Sequence, residues 1–205
     1  MTVSALTVFA IGCSSQPEKV KEATAAKKAE VKKESEFESG RAAFQRMYVS
    51  ARTWAPDAQP VRLESRPHSQ DPGDGKAGIW SAVFVSAGKQ AVRNYQWSGI
   101  VAEGSTETGV SPGSSDYWSP ANASTRPFDQ NYLKTDSDKA LEIALKKGGE
   151  ALVKKDPKQP VKYMLFFDAG KSRLLWRVSF GNSQNDAKLN VLVSASNGEF
   201  VSKEK

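Results

Sequence analysis

The segment "LLWRVSF", Leu174–Phe180, places Trp176 and Phe180 four residues apart, on one face of an extended strand. "IWSAVF", Ile79–Phe84, sets Trp80 and Phe84 at the same spacing in the first half of the chain. Working outward, Gln59-Pro60-Val61 precedes the first of these strands and Gln159-Pro160-Val161 precedes the second. A stretch with helical spacing lies ahead of each. The same order of elements is therefore written twice, which predicts a tandem duplication.

In the first half, Phe37, Phe44, Met47, Tyr48 and Ala51 recur at helical spacing in "EFESGRAAFQRMYVSARTW", so an amphipathic helix is expected to end before Pro56. Three strands follow: "DAQPVRLES", "IWSAVFVSA" and "AVRNYQWSGIVAE", with "GKQ" as a turn. In the second half, Asp136 or Ser137 caps a helix in "SDKALEIALKKGG", with Ala140, Ile143, Ala144 and Lys147 along one face and Gly148 and Gly149 closing it. Its strands are "KQPVKYMLFFD", "SRLLWRVSF" and "KLNVLVSAS". In the last, Leu189, Val191 and Val193 alternate with Lys188, Asn190 and Leu192, as in a strand with one buried and one mostly wet face. Helices that precede runs of strands define an α+β class. The expectation is two αβββ units, each one helix on an antiparallel sheet, at 37–110 and 135–205. An irregular connection at 111–134 would separate them.

Within 137–201, "DKALEIAL", "LLWRVSF" and "VLVSASNGEFV" resemble the PepSY domain. Ala140, Ile143 and Ala144 match its helix, Trp176 and Val178 its middle strand, and Ala195, Gly198 and Val201 its end; "IWSAVF" is the best match in the first unit. The resemblance implies an exported helix-on-sheet module, often tethered to a membrane, that binds or restrains proteases and other envelope enzymes. It implies no catalytic residues.

The N-terminus reads as an address. "VSALTVFAI", Val3–Ile11, is mainly apolar and uncharged, and it ends at Gly12 and Cys13. "AIGC" resembles the lipobox of bacterial lipoproteins, in which the peptide is cut before Cys and the thiol and new amino terminus are acylated. Residues 1–12 are then a signal peptide and Cys13 the lipidation point. Residues 13–36, rich in Lys, Glu and Ala with few apolar side chains, form a flexible tether.

Composition excludes several chemistries. No run approaches the ~20 apolar residues of a membrane-spanning helix. The net charge of +6 is spread over lysines, many offset by nearby glutamates, without an Arg-rich aromatic stripe, so no nucleic-acid partner is expected. One Cys and one His allow neither an intrachain disulfide nor a Cys/His zinc site. His68 lies in the turn-rich "SRPHSQDPGDGK", where "DPGDG" lacks the ligand spacing of a calcium loop and reads as a tight turn. "DAGKS" ends like a phosphate loop but lacks its upstream Gly and joins two strands.

No cofactor, metal or catalytic residue is nominated. Three aromatics outside the matching strand pairs, Trp97, Tyr117 and Trp118, are the candidate partner contacts. The leading expectation is a lipid-anchored, non-catalytic envelope protein that binds a protein partner. An envelope enzyme using Asp and Glu in a cleft between the units, for instance on glycans, and a purely structural lipoprotein are the alternatives.

Overall fold

In the computed structural model, the described residues are 35–204, except 104, 106, 123 and 124. Cys13, the expected signal peptide and almost all of the expected tether lie outside them. Glu36, assigned to that tether, donates its N–H to the Gly99 carbonyl (2.9 Å).

The chain is α+β, with helices on one face of an antiparallel sheet. A two-residue strand β1 (Glu38–Ser39) leads into helix α1 (Gly40–Trp54), then β2 (Gln59–Ser65), β3 (Lys76–Ala77), β4 (Ile79–Ser86), β5 (Ala91–Ser98) and β6 (Gly109–Tyr117). The second half has α2 (Ser137–Ala144), a π-type turn (Leu145–Gly149), α3 (Glu150–Lys155), and strands β7 (Val161–Asp168), β8 (Arg173–Phe180), β9 (Asn190–Ser194) and β10 (Phe200–Glu204). β1 and β3 pair with each other; the other strands form one eight-stranded sheet in the order β10-β9-β8-β7-β2-β4-β5-β6.

Each half is thus a helical segment followed by a four-stranded meander in the large sheet, one strand more than expected. The extra strands are β6 and β10. β6, "GVSPGSSDY", was expected to be irregular from residue 111 onward; its Pro, Gly and Ser carry no apolar alternation, yet it pairs along β5. The halves join through their first strands, where Arg62, Leu63 and Glu64 pair with Phe166, Leu165 and Met164. That junction puts the expected counterparts in equivalent places, with Trp80 and Phe84 on β4 and Trp176 and Phe180 on β8.

Tyr95, Ala82, Leu63, Leu165, Trp176 and Val193 face one another in a row across six strands and are buried beneath the helices. From α1, Ala43, Phe44, Met47 and Ala51 descend onto that surface; from α2, Ala140, Leu141 and Ala144 do. Counted from the first residue of each helix, the first three positions coincide, as a 3.6-residue period facing one core requires.

The helices meet N-terminus to N-terminus. The Asp136 carboxylate accepts from its own helix at Ser137 N–H (2.7 Å), from Arg41 N–H of α1 (2.8 Å), and from the Ser39 hydroxyl (2.6 Å). One anion therefore serves two positive helix ends. Beneath it the two tryptophans pack edge to face at 6.4 Å. Trp80 Nε1 donates to the Glu38 carbonyl and Trp176 Nε1 to the Thr135 carbonyl, both at 2.9 Å, each acceptor lying just before a helix cap.

The second half departs from expectation in two places. Gly148, at φ +118°, closes the first helix as expected, but Gly149 does not: its backbone is helical and the chain goes straight on into α3. Gly149 packs directly on Phe180, and a Cβ there would run into the ring. Lys147 leaves the buried face and is exposed. β9 also has no wet face. Asn190 and Leu192 are buried, because the 181–189 turn folds back and the Gln184 carbonyl accepts from Asn190 Nδ2 (3.1 Å).

Candidate binding face

The helices cover one side of the sheet. On the other, register aligns Asn94, Val83, Arg62, Phe166, Leu175 and Ser194 in one row and Gln96, Ser81, Glu64, Met164, Arg177 and Leu192 in the next. At its centre, where β2 meets β7, the face carries partly exposed apolar side chains among charges. Val83, Met164 and Phe166 are half-buried and Arg62 is exposed.

Hydrogen bonds and ion pairs fix these charges. Glu64 receives Lys162 at 2.9 Å and Arg62 at 3.6 Å. Arg177 donates to Glu204 (3.0 Å) and Gln184 (2.8 Å), and its guanidinium lies 4.6 Å from the Phe166 ring centroid. Arg177 is thus held on three sides, and Phe166 is braced beneath it. Arg62 shares its carboxylate with a lysine, and Arg126 has no carboxylate within ion-pair distance among the described residues.

The connection after β6 builds a wall on this face. Trp118 is buried against Val61 and Val85, and its indole N–H donates to Thr125 Oγ1 at 2.7 Å. Thr125 and Arg126 then close a cavity of about 270 Å³ whose floor is Val61, Val83, Met164 and Phe166, with Arg62 at its edge. Further along, the Phe128 N–H donates to the Pro60 carbonyl (2.8 Å) and its ring joins the helix-side core.

The three nominated aromatics therefore separate. Trp97 is 1% exposed and belongs to the core, the cross-strand neighbour of Trp80. Trp118, 5% exposed, is the pin of the wall, not a contact surface. Trp97 is covered by the core its strand builds, and Trp118 is held buried because its indole has both an apolar floor and an acceptor in reach. Tyr117 alone is exposed, at 72%, at the end of edge strand β6. Sequence pattern places the residues that shape the open face, Arg62, Met164 and Phe166, only within strands. "KYMLFFD" carried the signal: apolar residues at consecutive positions mark a strand apolar on both faces.

Two further cavities lie off this face. One of about 430 Å³ lies between the 67–76 loop and residues 157–161. His68 is half-buried there instead of solvated, and Asp71 is the only acid in its lining. The Asp71 carboxylate accepts the His68 N–H (2.8 Å) and the Gly78 N–H (2.9 Å), and His68 Nδ1 accepts the Gln70 N–H (3.3 Å). These groups close a turn, as "DPGDG" suggested. Burial pushes the Asp71 carboxyl up, and burial, then the charges of Asp71 and Asp74, push the Tyr163 phenol above its ordinary range. The other cavity, about 620 Å³, is lined by Phe128, Tyr132, Phe167 and Leu174, with Asp129 and Glu199 among its polar groups. Asp129 Oδ1 accepts the Asn131 N–H (2.8 Å).

Among the described residues, no group of three His, Cys, Asp or Glu side chains could hold a metal ion, and no helix is long and apolar enough to cross a membrane. No family description matches the chain, and no curated protein matches it in sequence. The crystal structure of a "putative lipoprotein" from Clostridium difficile 630 is similar to it, with a TM-score of 0.53 over 83% of this chain and 95% of that one. At 15% identity the likeness is one of fold.

Proposed function

We propose that this is an exported protein, held on the bacterial cell membrane through acyl groups on Cys13, that binds another envelope protein through the open sheet face without catalysis. The observation that carries the binding reading is the notch at the centre of that face. An apolar floor of Val61, Val83, Met164 and Phe166 lies beside two arginines, one of them without a carboxylate partner among the described residues. Apolar floors rimmed by arginine are a usual composition for contact surfaces. The address draws support from "AIGC" and from the lipoprotein whose fold this chain shares. The PepSY resemblance makes an envelope protease or related enzyme the first partner to look for. The matched positions of Trp80 and Trp176, and of the two Gln-Pro-Val segments, support reading the halves as copies of one ancestral unit.

The test is crosslinked pull-down of the native protein followed by mass spectrometry, repeated with Phe166→Glu and Arg62→Glu. A partner captured by wild type and lost in both variants, with their melting curves intact, is the expected result; a partner retained by both would place binding elsewhere. Cys13→Ser should shift the protein out of the membrane fraction, and unchanged fractionation would remove the anchor. The enzyme alternative has its structural foothold at Asp129, which lines one cavity with Glu199 and another with Asp57. Either site requires Asp129, so Asp129→Asn should abolish any glycan cleavage detected.

A further inference from the structure

The interruption of the second helical segment leaves a basic surface on the helix side, opposite the open face. Phe200 pairs with Val193 and Lys203 with Val191, and both valines belong to the helix-side core, so Phe200 and Lys203 project to that side. There they meet the break. Lys147 Nζ lies 4.7 Å from the Phe200 ring centroid, and Lys203 Nζ is 3.7 Å from where a Cβ on Gly148 would stand. Lys146 precedes Lys147 in the same exposed turn. Leu189 also abuts Gly148, and the neighbouring Lys188 donates to Gln159 Oε1 (2.8 Å), which extends the surface toward exposed Lys158. Among the described residues, Lys146, Lys147, Lys158, Lys188 and Lys203 have no carboxylate within ion-pair distance. Phe200, 38% exposed, is one of the few large apolar side chains left open to solvent.

We infer that this patch docks the domain on an anionic phospholipid surface. Exposed lysines from separate segments, one of them lying over an exposed aromatic ring and only Lys146 coupled to a nearby acid, Glu142, complement such a surface in two ways. The charges are drawn to the negative interface within a Debye length, and the ring enters the headgroup region. The work of the patch is orientation. With the helix side against lipid, the open sheet face points away from the membrane, where a partner can reach it. The inference takes its setting from the membrane-held reading above but uses a different surface, so the two can fail separately.

The decisive experiment uses the full chain carrying Cys13→Ser, so that acylation cannot hold it. Sedimentation is measured with vesicles of phosphatidylcholine alone and of phosphatidylcholine with phosphatidylglycerol. The expected result is binding that requires phosphatidylglycerol and disappears in high salt. Lys146→Gln/Lys147→Gln/Lys203→Gln in the same chain should weaken it on the order of a hundredfold, since each basic side chain at such a surface contributes about fivefold. Replacing the same three lysines by Arg should preserve it. The leader and the tether lysines are common to every variant and cancel. Equal sedimentation of wild type and the Gln variant, or equal binding to both vesicle types, overturns the proposal. All three lysines are exposed, so the melting temperature should be unchanged, and that measurement separates lost docking from lost folding.

Discussion

The first half carries one uninterrupted helix of 15 residues; the second covers the equivalent strands with eight helical residues, a π-type turn and six more. Both halves bury a tryptophan at the same point of the second strand in their meander, and both indoles donate to the carbonyl ahead of a helix cap. Against that shared frame, the two phenylalanines are covered differently. Phe84 meets Phe44 and Tyr48, aromatic rings supplied by α1. Phe180 lies against Gly149 instead, directly after the break at Lys147 and Gly148. One helix thus covers its phenylalanine with large side chains, whereas the other approaches with a glycine beside a break that leaves Lys146 and Lys147 exposed.

If the halves are equivalent at their centre, Trp80→Ala and Trp176→Ala should each destabilise by about 3–5 kcal/mol in denaturant titration, by losing a fully buried indole. A large difference between them would break the symmetry at the tryptophan pair. Gly149→Ala should cost about 1–3 kcal/mol by forcing a methyl into Phe180, and the double variant Gly149→Ala/Phe180→Leu should recover part of it. If relief is absent, the ring is not what keeps position 149 a glycine.

Asp136→Ala should cost about 1–2 kcal/mol or more, because one carboxylate caps both helices. Asp136→Asn, which keeps an acceptor, should cost less, as a thermal melt of the two variants would show.

The smallest effect concerns Asp57, in the first half only. It accepts the Ser86 hydroxyl (2.7 Å) and the Gly88 N–H (2.8 Å) at the β4–β5 turn, and these bonds hold its pKa below the ordinary carboxylate value. A lowered folded pKa means that this contribution is complete above the ordinary value and is lost as pH falls through the folded one. The stability difference between wild type and Asp57→Asn should therefore be flat at neutral pH and shrink in acid; a pH-independent difference would refute the assignment.

Much of this comparison was legible in the chain. Trp80, Phe84, Trp176 and Phe180 announced themselves by spacing, and the helix faces by period, because both signals are local. β6 was not legible: an edge strand of Ser, Pro and Gly owes its conformation to hydrogen bonds from β5, not to its own pattern. The burial of Trp97 and Trp118 is not legible for a related reason, since a tryptophan outside a clear pattern reveals nothing about what will cover it. Of the nominated contacts only Tyr117 reached the surface, while Phe166 and Met164, hidden inside an apolar run, came to the middle of the open face.

By itself the sequence determined the α+β class, the repeated order of helix and strands, a helix cap at Asp136 or Ser137 and the resemblance of "AIGC" to a lipobox, all readable from residues close together in the chain. Only the tertiary structure decided that β2 and β7 join the halves into one sheet, that Asp136 caps α1 as well as α2, and that Phe200 and Lys203 of the last strand meet the Lys147–Gly148 break. Each of these is a contact between residues far apart in the chain. Such contacts depend on which surfaces remain to be buried after the local elements form, and no local period encodes that.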